Sequence, residues 1–199
     1  VYKRDKDIDF LKKVYPMFVK NEEYWVKNRT VGGLLHYDSD DKESPDYELH
    51  VRYESGWDNS VRWDKSIADM WAVDLNCFMV MNYRALGFMA NELSLADDAK
   101  KWVEKENALA KLINECLWDS EKHYYADANL SSGEVSDVLT PASFMPLYIG
   151  IAPCERAECM AEIAKTRFCG KMPTVSFDNP EFSNDYWRGS TWLNVAYFA

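Results

Sequence analysis

Met70-Trp71-Ala72-Val73-Asp74-Leu75-Asn76-Cys77-Phe78-Met79-Val80-Met81 is the stretch that decides the fold. It is apolar nearly all round, and Leu86, Phe88 and Met89 continue the pattern. A helix without a wet face belongs in an interior, so the spacing predicts a buried helix over residues 66–93. Upstream, Phe10, Leu11, Val14, Met17, Phe18, Tyr24 and Trp25 recur at helical spacing and predict an amphipathic helix from Ile8 to about Val26. Downstream, Ser94 with Asp97 reads as an N-cap. The helix behind it has one stripe of Leu95, Ala99, Trp102, Leu109, Ile113 and Cys116, and Lys100, Lys101, Glu104 and Lys105 face water. A polar loop follows over 128–134. Thr140-Pro141 opens a short apolar helix, Pro153 takes the first position of another that ends near Gly170, and a last helix starts around Gly189. The fold class is all-α. Nearly all-apolar helices followed by amphipathic ones suit the inner and outer layers of a toroid.

Composition supports a packed interior: 47% of the 199 residues are hydrophobic and 15% aromatic, outside the range of disordered chains. The length fits one domain, residues 1–199. A net charge of −10, with no Lys/Arg cluster able to follow a phosphate backbone, argues against nucleic acid as a partner. No apolar run reaches the roughly 18 residues of a membrane span. Val1-Tyr2-Lys3-Arg4-Asp5 has no signal-peptide character. The chain therefore reads as soluble, with the cytoplasm favoured and the compartment not fixed. The five cysteines are odd in number and two of them, Cys77 and Cys116, lie in apolar helical patterns, so all read as reduced thiols. With no CxxC spacing and with His36, His50 and His123 scattered, no metal site or other cofactor is expected. The missing initiator Met and the apolar ending Trp192-Leu193-Asn194-Val195-Ala196-Tyr197-Phe198-Ala199 read as ends cut from something longer.

Two long polar-aromatic connections, residues 28–65 and 167–188, are where function is expected. The first contains Arg52-Tyr53-Glu54-Ser55-Gly56-Trp57-Asp58-Asn59-Ser60-Val61-Arg62-Trp63-Asp64, with three carboxylates, two guanidiniums and two indoles. Glycosidic cleavage needs a carboxylic acid held protonated, which an apolar wall favours by desolvation, and indole faces stack on sugar rings. Residue types alone leave an alternative open: Glu54, Asp58 and Asp64 paired with Arg52 and Arg62 in a purely structural network.

Glu54 to Asp64 resembles the ESG(W/M)DxSxRW(D) signature of glycoside hydrolase families 63 and 37. Val73-Asp74-Leu75-Asn76 is similar to the VDLN segment of those families, and Tyr186-Trp187-Arg188-Gly189 with Trp192 and Asn194 to their YWRGxxWxxxNY segment. The run from Gly170 through Asp178 into Pro180-Glu181-Phe182 is similar to what precedes YWRG there. Val61 stands where family 63 usually has Pro, and Ser190-Thr191 where Gly-Pro is common.

The resemblance implies an (α/α)6 toroid with an inverting mechanism, an Asp acid in the ESGxD loop and a Glu base much further along. The acid maps onto Asp58, and the base is expected beyond Ala199. With about six of twelve helices, the chain is expected to form roughly half of the barrel, to need the remainder of its own barrel as partner, and to be silent alone. The implied substrate is an α-glucoside or a related small glycoside or oligosaccharide. Trp57, Arg62, Trp63, Trp187, Arg188 and Trp192 are the candidates for shaping its pocket. Arg62 is read as orienting Asp58 or Glu54 rather than touching sugar, and Arg188 has pairing with Asp185 as its structural alternative. Asn76 either points into the barrel mouth or satisfies a buried backbone group. The acidic run over 38–43 reads as a solvated loop, because it lacks the Gly and closing Glu of a calcium loop. Alternatives to this reading are a trehalase within the same class, a degenerate carbohydrate-binding barrel that has lost its base, and a structural toroid used for protein contacts.

Overall fold

The periodicities largely become helices in the computed structural model, which describes residues 2–199. After α1 (Tyr2–Asp5), the Asp7 carboxylate accepts from the Phe10 amide and starts α2 (Ile8–Arg29). A tight hairpin joins β1 (Thr30–Val31) to β2 (Leu34–Leu35). Gly32 and Gly33 supply its positive φ values of 61° and 91°. The first long connection contains a helix that the periodicity did not announce, α3 (Tyr47–Ser55), closed by Gly56 in the left-handed region, and then a 3-10 turn, Val61–Trp63. Only Val51 of α3 is buried, which is why no apolar stripe marked it.

The decisive buried helix, α4 (Val73–Glu92), begins seven residues later than the spacing predicts. Met70–Trp71 is β3 and pairs with β6 (Ala128–Asn129), a ribbon whose apolar residues look the same as helical core in sequence. Ser94 is not the N-cap of the next helix. It takes φ 58° and donates its amide to Asn91, while the Leu95 amide reaches Ala90, so the pair closes α4. α5 (Ala96–Cys116) follows, buries Ala99, Trp102, Leu109 and Ile113, and packs along α4, which also meets α2. β4 (Trp118–Asp119) pairs with β5 (Tyr124–Tyr125).

Thr140 and Ser143 form a reciprocal capping box around a 3-10 turn at Pro141–Phe144, which runs into α6 (Met145–Tyr148). Pro153 is the N-cap of α7 (Cys154–Thr166) rather than its first residue, and that helix ends at Thr166, short of Gly170. The second long connection stays irregular up to a 3-10 turn at Tyr186–Arg188, and α8 (Leu193–Ala196) is the last element. Asp38 and Ser39 are buried rather than solvated, because Asp38 accepts from Lys42, Tyr47 and the Ser39 amide. All five cysteines are unpaired. Among the described residues no helix is long and apolar enough to cross a membrane.

Candidate active site

The two long connections meet. Asn59, next to Asp58, accepts from the Trp187 amide at 2.9 Å, donates to Asp185 at 3.0 Å, and offers its carbonyl to Arg188 at 3.3 Å. Arg188 forks onto Asp64 at 2.9 and 2.8 Å and lies 3.5 Å from Glu181. This fork, the leading cause, raises the Arg188 pKa. The guanidinium therefore binds across the site, and Asp185 accepts from the Arg188 amide through its backbone carbonyl rather than pairing its carboxylate with the guanidinium fork. Trp57 and Trp187 lie 4.9 Å apart, and Trp187 stacks on Trp192 at 4.4 Å and 8°. Three of the four indoles singled out in sequence thus form one aromatic ledge. Trp187 Nε1 is buried with no acceptor among the described residues, an unusual state for a core indole.

The three carboxylates of the loop have different surroundings. Glu54 accepts from Arg29 at 2.7 and 3.0 Å and from the Asp38 amide at 2.8 Å. Burial works against the Arg29 charge, and Glu54 and Asp40 override it and raise its pKa. Asp64 is taken by Arg188. Asp58 is half-buried and accepts from the Tyr186 hydroxyl at 3.1 Å. Among the described residues it has no ion-pair partner. The structural network anticipated for all three therefore captures Glu54 and Asp64 and omits Asp58, and the partners are Arg29 and Arg188 rather than Arg52 and Arg62.

Arg62 and Trp63 do not reach the surface, so neither is placed to touch a ligand. The Arg62 side chain is 0% exposed and Trp63 is 1% exposed. Arg62 binds Asp74 at 2.7 and 2.8 Å and Asp127 at 2.9 and 2.8 Å, and its guanidinium lies 4.8 Å from the Trp57 ring and 4.4 Å from the Trp63 ring. Burial opposes this charge, and the attraction of Asp127 and Asp74 outweighs it, holding the guanidinium well above its ordinary pKa. The same carboxylates serve α4, whose N-cap Ala72 has no side-chain acceptor: Asp127 accepts from the Val73 amide and Asp74 from the Leu75 amide, both at 2.9 Å. Arg52 instead donates to the Trp63 carbonyl at 2.9 Å.

Asn76 has a backbone role. It donates to the Leu35 and Ala72 carbonyls and accepts from the Leu35 amide, at 2.8–2.9 Å. Sequence reasoning missed Asp127 and Arg29, and it placed Tyr186 in a motif without giving it a role. An acid in the mostly apolar run Tyr124-Tyr125-Ala126-Asp127-Ala128 was the available signal for Asp127, since a buried carboxylate needs a partner.

Residues 1–199 match the family model of the mannosylglycerate hydrolase MGH1-like glycoside hydrolase domain. The chain belongs to this family. As an MGH1-like glycoside hydrolase domain it is 32% identical over 127 residues to a periplasmic trehalase of Escherichia coli O1:K1 / APEC, a match covering 60% of this chain and 22% of that protein. Its fold superposes on the GH63 mannosylglycerate hydrolase from Thermus thermophilus in complex with glucose, with a TM-score of 0.78 at 24% identity, covering 98% of this chain and 56% of that one. A neutral trehalase from Saccharomyces cerevisiae gives a TM-score of 0.70 at 17% identity over 87% of this chain and 42% of that one. The MGH1-like chain thus has part of the helical barrel of six-hairpin glycosidases. It spans about a fifth of the length of the curated trehalases it matches.

Proposed function

We propose that this MGH1-like domain contributes the acid side of an inverting glycosidase site, with Asp58 as general acid. One observation carries the reading: of three carboxylates within eleven residues, Asp58 is the one without a guanidinium, and it borders the Trp57, Trp187 and Trp192 ledge. An acid catalyst must hold a proton at working pH, which a neighbouring guanidinium opposes.

Trp57 and Trp187 are themselves buried and back the half-buried Trp192, whose indole is the part of the ledge open to a sugar ring, and Arg188 is fixed beside it by Asp64. Arg62, which lies against the rings of both Trp57 and Trp63, serves from below by supporting Trp57. The base is a carboxylate from outside residues 2–199, about 6.5–9.5 Å from the acid, so that a water fits between it and the anomeric carbon. The substrate class is an α-glucoside or a related small glycoside.

The test uses full-length protein on trehalose, α-linked glucose disaccharides and mannosylglycerate, with the product anomer followed by proton NMR. Asp58→Asn is expected to keep substrate binding and lower turnover at least about a hundredfold, with inverted sugar released by the wild type. Unchanged turnover removes Asp58 from the role. Silence of the wild type across the panel with sugar binding intact favours a carbohydrate-binding barrel.

A further inference from the structure

The Tyr186 hydroxyl is 3.1 Å from Asp58 Oδ2 and, among the described residues, is the sole side-chain donor to that carboxyl group. Tyr186 is also held in place. Its φ is 42°, in the left-handed region that bulky residues rarely adopt. Its carbonyl accepts from Trp192 Nε1 at 3.1 Å, and its ring meets that indole edge-on at 5.2 Å. On its other side, Asp185 is tied to Asn59, the residue after the acid. An otherwise disfavoured backbone conformation is thus fixed from two directions, and the resulting pose brings a phenol to one oxygen of Asp58.

We infer that Tyr186 is a positioning residue for the acid: it fixes the Asp58 carboxyl plane so that the other oxygen, Oδ1, faces the glycosidic oxygen. This rests on Asp58 being the general acid. In the step concerned, the Oδ1 proton passes to the leaving oxygen as the anomeric C–O bond breaks and its electron pair goes to that oxygen. A water adds to the anomeric carbon and gives its proton to the external carboxylate base. Asp58 ends the step as a carboxylate, and a hydrogen bond to an ionised acceptor is roughly twice as strong as one to a neutral acceptor. The Tyr186 bond therefore strengthens as charge develops, which is the condition for a contact to raise turnover rather than binding.

The experiment compares wild type, Asp58→Asn and Tyr186→Phe in the full-length protein. Two substrates are used: the glycoside the panel identifies, and the α-glucosyl or α-mannosyl fluoride of the same sugar. Fluoride leaves without protonation, so loss of acid assistance is invisible with it. Tyr186→Phe is expected to lower kcat on the glycoside about tenfold, to leave KM within about twofold and the melting temperature unchanged, and to act on the fluoride at close to the wild-type rate.

An equal loss on both substrates, or a loss in KM alone, overturns the inference and makes Tyr186 a structural or sugar-contacting residue. Wild-type kcat in Tyr186→Phe beside a crippled Asp58→Asn overturns it while Asp58 remains the acid. Full glycoside turnover in Asp58→Asn overturns both. If the phenylalanine form does not fold, Tyr186→Asn, which tolerates a left-handed backbone, takes its place with the same expected and overturning outcomes.

Discussion

Glu54 and Asp58 are four positions apart, and their neighbours give the two carboxylates different work. Glu54 is taken up by Arg29 and the Asp38 amide, which ties α2 to the end of α3, whereas among the described residues the one side chain that bonds Asp58 is a phenol. Gly189 is as tightly constrained as either. A Cβ there would lie 2.0 Å from the Ser183 carbonyl oxygen and 2.8 Å from the Phe182 ring, and the backbone atom has no flexible end to move away. Gly189→Ala is expected to destabilise the protein by about 1–3 kcal/mol, as overpacking does. It should also loosen the Ser183–Arg188 backbone bond that shapes the Tyr186–Trp187 turn. Urea unfolding of the two forms measures the first effect, and an unchanged midpoint would contradict it. At this scale the sequence was legible where a motif is contiguous: Trp57, Asp58, Trp187 and Arg188 all come to one place. It was not legible where the partner lies far along the chain. Nothing near Arg62 names Asp127, 65 residues away, and a guanidinium between two tryptophans in sequence looks the same whether it faces sugar or carboxylates.

Short β-ribbons decide what the helices can present. The β1–β2 hairpin lies against the start of α4, where Asn76, inside the helix, takes the Leu35 amide and shares the Leu35 carbonyl with the Ala72 amide. Asn76→Ala leaves the Leu35 amide without its acceptor in a buried place, while the Leu35 and Ala72 carbonyls keep the Ala72 and Asn76 backbone amides as donors. The expected cost is about 1–3 kcal/mol, set by one buried donor losing its acceptor. Asn76→Asp keeps an acceptor for the amide but turns its second oxygen onto the Leu35 and Ala72 carbonyls in a buried place, so it is expected to be at least as destabilising as Asn76→Ala. Thermal or urea denaturation of both variants checks the order, and equal stability of Ala and Asn forms would show that the hairpin docks by packing alone. Element existence was legible for α2, α4 and α5, whose apolar residues are many and periodic. Their starts were less so: hydrophobic pattern does not separate Met70–Trp71 in a ribbon from the helix that begins at Val73, and α3, with one buried side chain, leaves almost no pattern.

Across the whole molecule, burial of phenols sets a ceiling on the pH range. Tyr15 is pushed up to about 12 and Tyr124 to about 12, in both cases chiefly by burial, and burial also raises Tyr37 and Tyr83. An unfolded tyrosine titrates near 10. The folded state thus holds protons that the unfolded chain releases first. The stability contributed is complete below about pH 10 and is lost as pH rises through about 12. Urea midpoints taken across that interval are expected to fall steadily, and a flat profile would be at odds with the buried phenols. The inner helix also keeps an apolar flank, a groove of about 370 Å³ between α2, α3 and α4 with Trp25, Tyr37, Phe78 and Met79 among its lining. The Asp58–Tyr186 and Asn59–Trp187 bonds join residues 128 positions apart in the chain. Loop closure over that separation comes late in folding, after local helices have formed. During synthesis, Asp58 therefore leaves the ribosome well before its phenol and the indole ledge exist. The nascent chain holds an undirected aspartate, and Asp58 takes its final orientation only once the segment that carries Tyr186 docks.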